Sequence, residues 1–125
     1  MRKYNILIVD DEEIVVEGIK KGLILFPNYR VQTALSGELA IELCKSTVFD
    51  VVILDLVMPE MNGVEACRGI KEVSPSSEVL LLSGYPEELE KYQMEFVVAG
   101  GRDVFLRKPL LAEEISDAIL LVVEK

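Results

Sequence analysis

Four places in this 125-residue sequence hold side chains able to do chemistry together. Asp10-Asp11-Glu12 follows the apolar run that ends at Val9, and Asp55 follows the one that ends at Leu54. Ser83-Gly84 comes after Leu82, and Lys108-Pro109 comes just after the run ending at Leu106. Clustered carboxylates repel one another unless a cation joins them or their pKa values rise. An oxygen-only set suits a hard cation such as Mg²⁺, which commonly sits beside phosphate oxygens. An Asp carboxylate can also act as a nucleophile and become an aspartyl phosphate. In such a site Lys108 would add a point charge and Ser83 a hydrogen bond to the phosphoryl oxygens. The set reads as a phosphoryl-transfer site with Asp55 as the acceptor. Each piece alone has an ordinary reading. Asp10-Asp11 could cap a helix and face its dipole, and Asp55 or Ser83-Gly84 could simply turn the chain. Independent turns would rarely place all four at strand ends, and that joint placement carries the reading.

The elements that must position these groups follow from hydropathy. Tyr4 to Val9, Arg30 to Ala34, Val51 to Leu54, Val79 to Leu82 and Val104 to Leu106 read as strands. The first, third and fourth are nearly all Val, Ile or Leu, as suits strands buried on both faces of a parallel sheet. Helical stripes alternate with them: Val15, Ile19, Gly22 and Phe26; Leu39, Ala40, Leu43 and Cys44; Val64, Cys67 and Ile70; Leu89, Phe96 and Val97; and Leu111, Ile115, Ala118, Ile119 and Val122. Phe26-Pro27-Asn28 stops the first helix, Ser36-Gly37 opens the second, Asn62-Gly63 opens the third, and Pro86 suits the first turn of the fourth. This (βα)₅ alternation predicts a doubly wound α/β domain with helices on both faces of a parallel sheet. Ligands in such sheets bind outside the carboxyl ends of the strands, where all four groups lie.

Composition narrows the field further. With 13 Lys+Arg against 22 Asp+Glu the net charge is −9, which argues against direct binding to nucleic acid, whose phosphates need a basic face. The apolar runs are too short to span a membrane, and no charged segment followed by an apolar stretch opens the chain, so a cytoplasmic location is expected. There are two cysteines and no histidine. Zinc enzymes and Ser-His-Asp hydrolases therefore lack a key side chain, and Cys44 and Cys67 read as helix-face filler in a reducing compartment. Residues 1–125 are expected to form one domain.

Together, Ile6-Leu7-Ile8-Val9-Asp10-Asp11-Glu12, Asp55-Leu56-Val57-Met58-Pro59 with Asn62-Gly63, Ser83-Gly84 and Phe105-Leu106-Arg107-Lys108-Pro109 resemble the response-regulator receiver domain of two-component signalling. The match runs in order over essentially the whole chain. It implies a flavodoxin-like fold with a five-stranded parallel sheet of order 2-1-3-4-5. Asp55 resembles the phosphoacceptor, modified by a histidine kinase or phosphotransfer protein. Asp10 and Asp11 resemble the acidic pair that, with Asp55 and the backbone carbonyl of Val57, holds Mg²⁺. Lys108 matches the lysine that contacts the phosphoryl group, Ser83 the switch hydroxyl, Phe105 the switch aromatic, and Pro109 a cis-prolyl position. On this resemblance the chain is not an enzyme in the ordinary sense and catalyses only its own phosphorylation and dephosphorylation.

The resemblance further implies signalling to an output domain or downstream protein through the fourth helix, fifth strand and fifth helix. Glu87, Glu88, Lys91, Tyr92, Glu95, Arg107, Asp117, Leu121 and Lys125 are the residues to inspect there. Leu120, Leu121 and Val123 cannot all face the sheet, which leaves a homodimer or another partner open. No output domain is expected within the chain, and both a stand-alone regulator and a piece of a longer one remain open. Val57 and Tyr85 are expected to crowd the path of attacking water and slow self-dephosphorylation. Val98-Ala99-Gly100-Gly101 is expected to cap the fourth helix. A phosphorylation-dead interaction module would have lost one of the acids, the acceptor or the lysine. An Asp-nucleophile phosphatase would need a cap that this length leaves little room for. A flavodoxin-like FMN carrier would not place Asp10-Asp11-Glu12 against a phosphate.

Overall fold

A computed structural model describes residues 2–124. The elements in chain order are β1 (Tyr4–Val9), α1 (Glu13–Leu23), β2 (Tyr29–Ala34), α2 (Gly37–Ser46), β3 (Val51–Asp55), α3 (Gly63–Val73), β4 (Glu78–Ser83), α4 (Pro86–Val98), β5 (Phe105–Arg107) and α5 (Ala112–Val123). The strands form one sheet in the order β2-β1-β3-β4-β5, with every pairing parallel. Both the alternation and the order expected from the sequence are present.

Side chains on a strand alternate between faces, so an unbroken apolar strand feeds two cores. Ile6, Ile8, Val51, Ile53, Leu80 and Leu82 pack on the α1/α5 side. Leu7, Val9, Val52, Leu54, Val79 and Leu81 pack on the side of α2, α3 and α4. None of these twelve side chains reaches solvent. Each buried Ile or Leu contributes about 2–3 kcal/mol, which makes the three central strands the rigid base of the molecule.

Several helix faces differ from the expected stripes. On α1 the buried residues are Val16 and Leu23, whereas Val15, Ile19, Gly22 and Phe26 are half-buried. Glu13, Glu17, Lys20 and Lys21 give this helix a polar side, and contact with the sheet and α5 centres the buried face on Val16 and Leu23, with Ile19 and Phe26 packed beside them. The helix ends at Leu23, three residues before Phe26-Pro27-Asn28. Leu39, Val97 and Leu111 were expected inside and are exposed, whereas the remaining α3 and α5 stripe residues are buried. Leu111 precedes α5, where its backbone N–H donates to the Glu114 carboxylate and its side chain projects from the core. Leu121 is exposed, with Leu120 and Val123 half-buried, as the crowding of α5 required. Lys125 and Met1 lie outside the described residues.

The helix ends behave as their sequences suggest. Ser36 Oγ accepts from Leu39 N–H, and Asn62 and Glu65 exchange a reciprocal pair of hydrogen bonds across the first turn of α3. After α4, Gly100 has φ of 109°, with Gly100 N–H donating to Val97 and Gly101 N–H to Phe96. That pattern is a Schellman cap, so the paired glycines end the helix as expected. Gly101 also lets the Phe96 ring lie against the backbone, since a Cβ there would overlap it.

Candidate functional site

Strand register brings the four chemical groups together. Val9 pairs with Leu54, so Asp10 and Asp55 leave adjacent strands side by side. Asp55 pairs with Leu82, and Ser83 with Arg107, so the next strands deliver Ser83 and Lys108 to the same rim. Here β3 ends on Asp55 and β4 on Ser83, one residue later than expected, because the ladder continues through Leu56 N–H to Leu82 C=O and Lys108 N–H to Ser83 C=O. β5 likewise runs one residue later than expected, over Phe105–Arg107, and delivers Lys108 directly off its end. Both acceptor and hydroxyl therefore stand on rigid strands and not on mobile turns. β1 feeds β2 on one side of it while β3 lies on the other, so the rim between β1 and β3 is the crevice where this class of sheet binds ligands.

Carboxylate oxygens of Asp10, Asp11 and Asp55 lie within 4.8 Å of one another. Asp10 is fully buried and Asp55 nearly so, whereas Asp11 is exposed. The Lys108 ammonium stands 2.5 Å from Asp10 Oδ2, 3.4 Å from Asp55 Oδ1 and 3.7 Å from Glu12 Oε1. Asp10 Oδ1 accepts from Glu12 N–H at 3.0 Å, while Oδ2 has the Lys108 ammonium as its single partner. Burial, followed by the charge of Asp10, pushes the Asp55 carboxyl up to about 7, with Lys108 pulling the other way. For Lys108, burial favours the neutral amine, but Asp10 and Asp55 together outweigh it and hold the ammonium above the ordinary lysine value. The site thus has more negative charge than one lysine can balance. Three closely set carboxylates with a single ammonium among them fit a hard divalent cation.

A cleft of about 480 Å³ opens over Asp55, walled by Asp11, Glu12, Val57, Met58, Tyr85 and Lys108. Val57 and Tyr85 flank it as expected, each with an exposed side chain (41% and 61%). Ser83 Oγ does not face Asp55's charge as a free donor. It accepts from Tyr85 N–H at 3.0 Å and donates to Tyr85 C=O at 3.3 Å, which closes a turn just before α4. Phe105 is half-buried, with its ring edge-on to Phe96 at 6.1 Å. The Lys108–Pro109 peptide is cis. The sequence placed Glu12 on this rim without its partner, and it did not show the role of Gly63. Glu12 reaches Lys108 from the rim, a contact that only the relative placement of β1 and β5 creates. Gly63 would, with a Cβ, stand 2.7 Å from the Asp55 carbonyl oxygen, so a glycine lets α3 start directly behind the acceptor. The Asn62-Gly63 pair was legible as a helix start but not as that close approach.

A family model described as response regulator receiver domain matches residues 6–120. Among curated proteins, the transcriptional regulatory protein DegU of Brevibacillus brevis is 32% identical over 123 residues, covering 98% of this chain and 51% of DegU. The chain spans about half the length of the curated relatives it matches. The signal receiver domain of NarL from Mycobacterium tuberculosis superposes with a TM-score of 0.84 at 28% identity, covering 99% of this chain and 98% of that one. A response regulator from Burkholderia pseudomallei, solved with a phosphorylated aspartic acid, calcium ion and citrate, gives a TM-score of 0.80 at 25% identity, covering 94% of this chain and 66% of that one.

Proposed function

Because the chain belongs to the response regulator receiver domain family, we propose that Asp55 accepts a phosphoryl group from a histidine kinase or phosphotransfer protein in a Mg²⁺-dependent reaction. The observation that carries this reading is the trio of Asp10, Asp11 and Asp55 carboxylates, closely set with the Lys108 ammonium beside them. An Asp55 oxygen attacks phosphorus, the P–N bond to the donor imidazole breaks, and the imidazole leaves with that electron pair and takes up a proton. The product is an acyl phosphate on Asp55. Asp10, Asp11, Asp55 and the Val57 backbone carbonyl would hold Mg²⁺, which when bound offsets the carboxylate charge and draws charge from the phosphoryl oxygens. Lys108, already drawn toward Asp55, is placed to pair with a phosphoryl oxygen once one is present. The phosphorylated aspartic acid and bound calcium of the Burkholderia pseudomallei regulator support the same chemistry here.

Switching then follows from competition for one hydroxyl. A phosphoryl group on Asp55 offers Ser83 Oγ a charged acceptor in place of the Tyr85 carbonyl, and charge-assisted hydrogen bonds are the stronger kind. Ser83 leaves its turn, Phe105 turns inward in its wake, and the face made by α4, β5 and α5 changes shape toward an output domain or downstream protein. Glu87, Lys91, Glu95, Arg107, Asp117 and Leu121 are exposed on those elements and carry the contact, which can also include a second copy. The domain turns over no other substrate and catalyses only its own phosphorylation and dephosphorylation. It works in the cytoplasm: both cysteines are free and buried, and burial pushes their thiols up to about 11 and about 12, away from reactive thiolate. No helix among the described residues is long and apolar enough to cross a membrane.

The test is intact mass after incubation with acetyl phosphate and Mg²⁺. A single phosphoryl adduct is expected in the wild type and none in Asp55→Asn or with EDTA. Absence of any adduct, with no cation bound, would reduce the chain to an interaction module with a vestigial acidic rim. Once formed, the adduct is expected to persist, because Val57 and Tyr85 narrow the approach of in-line water. Val57→Asn should shorten its lifetime by roughly tenfold, about the worth of one hydrogen bond to the attacking water. A wild-type half-life of seconds that this substitution leaves unchanged would refute the crowding account.

A further inference from the structure

Of the 13 residues of helix α4, only Leu89 and Phe96 are buried, about two helical turns apart. Its first turn has no side-chain cap, and its last turn carries Glu95 and no basic residue, so the helix dipole gives no help at that end. The N-terminal end is tied to β4 by the two hydrogen bonds between Ser83 Oγ and the Tyr85 backbone. The C-terminal end hangs on Phe96, whose ring no solvent reaches. A Cβ on Gly101 would overlap three carbons of that ring, which therefore lies directly against the backbone that caps the helix. The same ring meets Phe105 edge-on, with centroids 6.1 Å apart and planes at 63°. Close packing leaves a ring seated in this way no room to hop alone. Phe105 is only half-buried and has that room.

When Phe105 turns inward, either the edge contact breaks or Phe96 carries the last turn of α4 with it. We propose that Phe96 is the positioning residue that hands the movement of Phe105 to the C-terminal end of α4. Its contact also holds Phe105 in place until Asp55 is modified, so the unmodified domain resists switching by about the worth of one aromatic pair. This rests on Ser83 and Phe105 acting as the switch. Helix α4 is then released at one end by Ser83 and moved at the other by Phe96, and the exposed Met94, Val97 and Val98 travel with it. Met94 and Val97 wall a groove of about 340 Å³ that Asp103 closes from the link between Gly101 and Phe105. That groove changes shape whenever the end of α4 shifts against β5. If Phe96 did no more than fill the core, Phe105 would turn without moving Met94.

Beryllofluoride with Mg²⁺, a stable stand-in for the phosphoryl group, provides the test. NMR of isotope-labelled phenylalanine rings and methionine methyls reads Phe105 and Met94 in one sample, among only four residues of each type. In the wild type both signals are expected to shift on saturation. In Phe96→Met, which nearly conserves volume, the Phe105 shift should remain while the Met94 shift falls to about half or less. Beryllofluoride should also bind this variant about two- to tenfold more tightly, because the contact that opposed switching is gone. A merely loosened core would not tighten binding. Phe96→Leu is the second variant, with the same outcome expected, and serves alone where Phe96→Met does not fold. Leu89→Met, at the other anchor of α4, should keep both shifts and the wild-type affinity. A Met94 shift undiminished in the Phe96 variants, or diminished equally in Leu89→Met, overturns the proposal and leaves phosphorylation of Asp55 standing. Absence of any shift in the wild type also overturns it, and if acetyl phosphate then leaves no adduct, the phosphoryl reading falls with it.

Discussion

In metal-free buffer this domain will be less stable at pH 8 than at about pH 5.5, by on the order of 2 kcal/mol or roughly 8 °C in Tm. Asp55 is the source. Its carboxyl is pushed up to about 7 in the folded protein, by burial first and by the Asp10 charge second, against an ordinary value of 3.8. The native state therefore binds a proton more tightly than the unfolded chain, so stability falls as pH rises through about 7 and is fully retained only below the ordinary carboxylate range. Lys108 does not offset this, because its ammonium is held above the ordinary lysine value and stays charged across the whole window. Two controls isolate the effect in urea titrations followed by circular dichroism. Asp55→Asn should flatten the pH profile, since an amide has no proton to lose. Millimolar Mg²⁺ should raise stability at pH 8 far more than at pH 5.5, since a cation at the three carboxylates replaces the missing proton. A wild-type profile as flat as that of Asp55→Asn would show that the acidic rim is not strained by its own charge.

Gly63→Ala should cost about 2–3 kcal/mol and disturb the acceptor at the same time. Its added methyl would sit 2.7 Å from the Asp55 carbonyl oxygen and 3.0 Å from Leu56 Cα, and backbone cannot move aside as a side-chain tip can. Only Leu81 Cδ1, at 2.9 Å, has room to yield. Helix propensity alone favours alanine, so the sign of the change decides between the two accounts. Urea unfolding gives the stability, and phosphoryl incorporation by intact mass gives the disturbance at Asp55. Gly84→Ala is the matched control: its methyl would meet Lys108 carbons at an ordinary 3.7 Å, and little loss of stability is expected.

The contrast between these two glycines marks the division between chain and fold. β1, β3 and β4 were legible because a run of Val, Ile and Leu with no polar interruption has one economical place in a small α/β protein, the middle of a parallel sheet covered on both sides. With those strands placed, Asp10, Asp55, Ser83 and Lys108 had to share a rim, because the carboxyl ends of parallel strands all point the same way. Sheet order was legible through the family resemblance and not through hydropathy, which is blind to which strand neighbours which. Tertiary structure decided what depends on distance between segments far apart in sequence. It set Glu12 beside Lys108 and tied the Ser83 hydroxyl to the Tyr85 backbone. It also centred the buried face of α1 on Val16 and Leu23, at one edge of the apolar side that periodicity marks, leaving Ile19 and Phe26 packed beside them and Val15 half-buried. Residue type and order along the chain carry the chemistry available, whereas the charge balance that makes Asp55 reluctant to ionise arises only when burial and neighbouring strands bring the carboxylates together.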